Sequence, residues 1–175
     1  MGTFGVLPDQ VFISVNASPA AIVSDRMEAA IGGAPQHRLV LEITEHTEVE
    51  NYDHLRSALG SLRRRGARLA IDDAGAGYSS LQHIVQLQPD IIKLDTGLTR
   101  SVDTNPARRA MTDDHIYFAQ ETGYQIVAEG IETDGEFRTL EALSVVKGQG
   151  YLMGRPADLD SARALVASQA ADLCA

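Results

Sequence analysis

The sequence predicts an α/β fold built on a parallel sheet. Three observations carry this. Short apolar runs alternate strictly with stretches of helical periodicity, which implies parallel strands joined by right-handed crossovers. The runs lack inside-out alternation, as expected of strands covered on both faces. Each run also ends in, or contains, a polar residue that helix amphipathicity does not explain.

Residues 1–10 read as irregular, broken by Pro8 and Asp9. Residues 11–16 (VFISVN) form the first strand. Ser18 caps a helix with Pro19 at its first position, running to about residue 31 and stopped by Gly32 and Gly33. Residues 39–44 (LVLEIT) are the second strand. A helix over 51–65 places Leu55, Leu59 and Leu62 on one face. Arg63, Arg64 and Arg65 close it against the negative end of its dipole, and Gly66 ends it. Residues 67–72 are the third strand, 79–87 a short helix, and 90–95 (DIIKLD) the fourth strand. Asn105 or Thr104 caps a helix over 105–122, which Gly123 ends. Residues 125–129 (QIVAE) are the fifth strand, 133–144 a helix, and 145–152 hold a sixth strand. A terminal helix is expected from 160 to about 171.

The 175 residues suffice for one domain spanning 1–175 with a sizeable core. The formal net charge of −9 and the absence of a long Lys/Arg block argue against general nucleic-acid binding. Cys174 is the single cysteine, which excludes a disulfide framework or thiolate metal cage within the chain and fits a reducing, cytoplasmic setting. No apolar run approaches the length of a membrane span, and MGTFGVLPDQ lacks the pattern of a signal peptide.

In strand order the polar residues are Asn16, Glu42, Asp72 with Asp73, Lys93 with Asp95, Glu129 with Glu132, and Gln149. The carboxyl ends of parallel strands converge on one face, so these residues should assemble into one cluster. Adjacent acids such as Asp72 and Asp73 cost free energy unless a cation or other partners neutralise them, and Gly75 and Gly77 just beyond allow a sharp turn, so a plain strand-to-helix loop with Asp and Gly as turn formers stands beside a metal site. Oxygen donors without thiolate suit Mg²⁺ or Mn²⁺ better than structural Zn²⁺. One Asn, two Glu and two Asp could hold two cations about 3.5–4 Å apart, as in-line phosphoryl displacement uses them. Lys93 could orient a water or stabilise developing charge. Structural alternatives stand beside these roles. Asn16 could cap a helix, Glu42 and Lys93 could form a buried ion pair, Asp95 could start a turn, and Gln149 could satisfy a backbone group.

The stretches SVNASP at 14–19, LEITE at 41–45, IDDAGAGYSSL at 71–81, IIKLD at 91–95, VAEGIET at 127–133 and GQGYLMGRP at 148–156 resemble the EAL domain, in that family's order. The resemblance implies a TIM-barrel-like fold, two Mg²⁺ or Mn²⁺ ions, and water attack on cyclic di-GMP to give linear pGpG. Ca²⁺ is expected to inhibit. By motif, Asn16, Glu42, Asp72, Asp73 and Glu129 match the metal-binding positions. Lys93 matches the water-orienting residue, and Glu132 and Gln149 match accessory catalytic positions. Glu45 matches the residue that steadies the glycine-rich loop, which couples the site to dimerisation.

The sequence departs from the family in three places. Glu141-Ala142-Leu143 spell the family's tripeptide but lie in a late helix, whereas the motif belongs on a strand before SVNASP. Six strands are readable where a barrel of roughly 250 residues has eight. The first two strands, a metal-ligating Glu and a ligand-contacting Arg are therefore expected to be missing, which weakens the metal site and exposes a sheet edge that a homodimer or companion segment would cover. Ala74 and Ala76 stand where the family usually has Phe and Thr, which should loosen the loop over 73–81. The first functional reading is a cyclic di-GMP phosphodiesterase of reduced activity. The second is a catalytically inactive cyclic di-GMP receptor or protein-interaction module. A receiver domain fits less well, because its acids and lysine fall on other strands. A dinucleotide fold fits less well still, because Gly75-x-Gly77 lacks a third glycine and acids precede it where a pyrophosphate would sit.

Overall fold

The computed structural model describes residues 11–31, 33–75 and 78–164. Five strands form one sheet in sequential order: β1 (Ile13–Asn16), β2 (Leu39–Thr44), β3 (Arg68–Ala74), β4 (Ile91–Leu94) and β5 (Gln125–Ala128). Every neighbouring pair is parallel. This α/β sheet wound in one direction is the wall of a partial TIM-like barrel. Its helices are α1 (Pro19–Ile22), α2 (Asp25–Ile31), α3 (Tyr52–Arg64), α4 (Tyr78–Leu87), α5 (Thr96–Thr99), α6 (Pro106–Thr122) and α7 (Asp134–Ala142).

Side-chain oxygens cap the starts of these helices, at Ser18 and Asn105 as the sequence places them. Ser18 accepts from Ala21 N–H, Asn51 from His54 N–H, and Asn105 from Ala107 and Arg108 N–H. Thr133 and Glu136 form a reciprocal capping box. Gly123 ends α6 at φ 77°.

The two faces of the sheet differ in what they bury. Leu39, Leu41, Ile43, Leu69, Ile71 and Ile92 pack against Leu55, Leu59 and Leu62 of α3 and Ile84 and Leu87 of α4. On the other face Val40, Ala70 and Ile91 form a thin apolar layer, joined by Val127. Side chains alternate along a strand. Two residues beyond each member of that layer therefore stand Glu42, Asp72, Lys93 and Glu129, on the same face. The apolar layer floors a charged row at the carboxyl ends of the strands.

The expected sixth strand contributes only one parallel bridge, Ala128 to Gly148. Gly148 and Gly150 bring that segment close to the backbone after β5, and the chain there turns after one ladder step. The expected helix over 18–31 divides at Val23 and Ser24, where Ser24 donates its hydroxyl to Ala21 C=O. That bond offers the backbone a local alternative to continuing the helix. Residues 159–164 are helical. The expected continuation to 171, the irregular segment 1–10, the Gly32 stop and the loop residues Ala76 and Gly77 lie outside the described residues.

Candidate metal centre

Adjacent residues on a regular strand point to opposite faces, yet Asp72 and Asp73 both reach the same side. The register between β3 and β4 shifts between Ile71 and Ala74, so β3 carries one residue more than β4 over this interval. Asp73 takes up the irregularity at φ 58°, a left-handed conformation that Asp tolerates better than most residues. One ligand oxygen each from Asp72, Asp73 and Glu129 lies within 4.8 Å of the others.

Lys93 stands among them. Its Nζ lies 2.7 Å from Glu129 Oε1, 2.8 Å from Asp72 Oδ1 and 3.1 Å from Glu42 Oε2. Glu42 also accepts the Ser14 hydroxyl, and Gln149 Nε2 donates to Glu129 Oε1 at 2.5 Å. Asn16 is the register partner of Glu42 and lines, with Asp72 and Asp73, a cleft of about 480 Å³. Glu42, Lys93 and Glu129 are buried, while Asp72 and Asp73 are half-buried.

Glu45, fully buried, accepts the Gly75 N–H at 3.3 Å and so ties down the turn that follows Asp73. Its carbonyl meets His83 Nε2, and His83 Nδ1 meets the Tyr52 hydroxyl. Glu132 takes a different course. Its carboxylate pairs with Arg100 on the solvent side, and its N–H donates to Glu136. Asp95 caps α5 by accepting Gly97 N–H, the turn role weighed for it.

Ser14 and Arg100, whose side chains bond to Glu42 and Glu132, are among the site-contacting residues that strand-end reasoning passes over. Ser14 carried a usable signal, because it lies two residues before Asn16 and therefore on the same face of β1. Arg100 lies in the turn after α5, with no periodicity to mark it.

The donor set fits a hard divalent cation: clustered carboxylate oxygens, a neighbouring amide, and no thiolate or imidazole among them. Burial holds both Asp73 and Glu129 above their usual carboxylate range. For Asp73 the charges of Asp72 and Asp95 add to burial, while Lys93 and His46 oppose it. For Glu129 the Lys93 hydrogen bond and charge oppose burial, and Asp72 and Asp73 add to it. A raised folded-state pKa favours the fold below the unfolded pKa, and this contribution is lost as pH rises through the folded value. Ionising either group therefore costs the fold more than the unfolded chain, and a cation that binds their ionised forms competes with protons as pH falls through the raised values. Mn²⁺ affinity is expected to weaken on acidification while pH is still above the usual carboxylate range of about 4. Calorimetric titrations across that interval check it, and constant affinity down to about pH 4 would contradict it.

Gly150 shows how tightly the last segment is seated. A Cβ there would lie 2.1 Å from Ile131 O and 2.3 Å from Ile131 N, a backbone clash that no rotamer relieves. Gly150→Ala is expected to cost about 1–3 kcal/mol of stability, measured by urea unfolding, and to loosen the Gln149–Glu129 contact.

The EAL domain family model matches residues 4–156. The cyclic di-GMP phosphodiesterase PA2567 of Pseudomonas aeruginosa is 38% identical over 118 residues, covering 67% of this chain and 20% of that protein. The chain thus spans about a fifth of that relative's length. The crystal structure of the EAL domain of Mycobacterium smegmatis DcpA superposes with a TM-score of 0.87 at 30% identity, covering 94% of this chain and 77% of that one. The manganese/cyclic di-GMP complex of Klebsiella pneumoniae BlrP1 superposes with a TM-score of 0.78 at 30% identity, covering 88% and 41%.

Proposed function

This chain belongs to the EAL domain family, and on that premise we propose that it is a divalent-metal-dependent phosphodiesterase module that hydrolyses cyclic di-GMP to linear pGpG. The observation that carries the reading is the convergence of the Asp72, Asp73 and Glu129 carboxylates within 4.8 Å. Asn16, Glu42, Asp72, Asp73 and Glu129 are the residues that would hold Mg²⁺ or Mn²⁺. Two such ions supply positive charge to the attacking and leaving oxygens of an in-line displacement at phosphorus.

The chain's own groups do the rest. Lys93 lies between the carboxylates of β2, β3 and the end of β5, where an ammonium N–H can hold the oxygen of the hydrolytic water. Gln149 fixes the orientation of the Glu129 carboxylate. Glu45 holds the turn after Asp73 through Gly75 N–H. Glu132, held by Arg100, borders a second cleft with Thr96, Tyr151 and Arg155, where the Arg155 guanidinium lies 4.4 Å over the Tyr151 ring. Among the described residues, β1 pairs on one side only, and Phe12 and Val15 are exposed. That edge is the one a second copy or a companion segment would cover. No described helix is long and apolar enough to cross a membrane.

The test is hydrolysis of cyclic di-GMP by purified protein with Mg²⁺ or Mn²⁺, following pGpG. The expected result is turnover that a chelator removes and Ca²⁺ suppresses. Tight binding of cyclic di-GMP without turnover would replace this reading with that of a receptor. Neither binding nor turnover would refute both.

A further inference from the structure

The Lys93 ammonium lies among three carboxylates, with Nζ at 2.7 Å from Glu129, 2.8 Å from Asp72 and 3.1 Å from Glu42. β4 lies between β3 and β5, so a lysine on its inward face reaches acids from both neighbours, and its length carries it on to β2. The group is 7% exposed. Orienting one water requires a single donor. Here the ammonium pairs with three carboxylates, and two of them belong to the three-acid group that suits a divalent ion.

A primary ammonium and a hard divalent cation draw on the same carboxylate lone pairs. They also repel each other at this range. We propose that Lys93 is an internal cation that competes with the divalent metal for the Asp72 and Glu129 carboxylates and thereby sets the metal affinity of the site. The proposal rests on the metal-dependent reading above. The side chain can withdraw without losing every partner, because Glu42 Oε2 still faces the ammonium when the Asp72 and Glu129 oxygens are taken, while Glu42 Oε1, which accepts the Ser14 hydroxyl, is the oxygen left for a metal. Gln149 keeps its hold on Glu129, so that carboxylate stays oriented while its cationic partner changes. The flexible four-carbon stem of lysine allows such a swing, and the planar fork of arginine constrains it.

The test compares wild type, Lys93→Met and Lys93→Arg by Mn²⁺ calorimetry and by thermal unfolding in chelator and in Mn²⁺. Lys93→Met is expected to bind Mn²⁺ at least about tenfold more tightly than wild type. Its unfolding midpoint should fall in chelator and rise more steeply with Mn²⁺. Lys93→Arg, which keeps the charge, should gain no affinity. Equal or weaker Mn²⁺ binding by Lys93→Met would overturn the proposal while leaving the metal-dependent reading in place. Absence of Mn²⁺ binding by all three proteins would overturn both. If Lys93→Met does not fold in chelator, wild type answers alone through the ¹⁵N resonance of the Lys93 ammonium. That signal should move as Mg²⁺ saturates the protein, and an unmoved signal at calorimetric saturation overturns the competition.

Discussion

Asp72→Asn is expected to lower Mn²⁺ affinity and cyclic di-GMP turnover by at least about 10²-fold, since residues one step removed from a metal already cost 10- to 100-fold when lost. The substitution preserves shape and volume and removes charge. Asp72 sits on β3 in register with Thr44 of β2, and its carboxylate accepts the Asp73 N–H at 3.1 Å and the Lys93 ammonium at 2.8 Å. Those two bonds fix its direction into the site, so no other side chain replaces it. The amide leaves Lys93 with Glu42 and Glu129 as anionic partners, which limits the loss of stability. Asn in place of Asp should therefore separate function from folding better than Ala does. The check is a Mn²⁺ titration and a pGpG rate measured beside a urea unfolding curve. Turnover within threefold of wild type would show that the acid is structural.

Glu136→Ala is expected to lower stability by about 3 kcal/mol, because a buried donor left without a partner costs about 1–3 kcal/mol and this side chain serves three. Its Oε1 accepts Ser101 N–H at 2.8 Å, and its Oε2 accepts Glu132 N–H at 2.9 Å and Thr133 N–H at 3.1 Å. Its own N–H donates to the Thr133 hydroxyl, which completes the box at the start of α7. The residue is 4% exposed. It joins the turn at Ser101 (φ 57°) to the segment leaving the site, while the neighbouring Thr99 hydroxyl donates to Glu129 C=O. Burial alone would raise the Glu136 pKa, but the hydrogen bonds from Ser101, Glu132 and Thr133 hold it below the usual value. A folded pKa below the unfolded one contributes stability above the unfolded value, near 4.3, that is lost as pH falls through the folded pKa. The gap between wild type and Glu136→Ala in urea midpoints should thus be full at neutral pH and narrow in acid. A gap independent of pH would contradict this account.

The central strands were legible in the sequence because LVLEI, LAID and IIKL are apolar on both faces except at the site. Their polar exceptions fell at i and i+2 above a small apolar layer, and that pattern predicts a shared face. What failed to show was anything set by a bulge or a turn. Sequence alternation alone would put Asp73 opposite Asp72, and only the register shift and the left-handed backbone bring both to one side. Glu132 reads as a member of the cluster, but Gly130 (φ 66°) turns the chain after Glu129, and Glu132 finds Arg100. The sixth strand reads well by composition. Yet the close seating of Gly148 and Gly150 on Ile131 leaves it one bridge. Lys93 and Glu42 illustrate that a structural and a functional reading need not exclude each other, since the pair is formed within the cluster that suits a metal.

Asp72, Asp73 and Glu129 are expected to hold a divalent cation together. Anomalous scattering from crystals grown with Mn²⁺ reads this out. A manganese peak is expected within about 2.5 Å of carboxylate oxygens from Asp72 and Glu129, with Asp73 bound to the same ion or to a second one about 4 Å away. Manganese bound elsewhere, or no peak beside these three residues at saturating Mn²⁺, would contradict it.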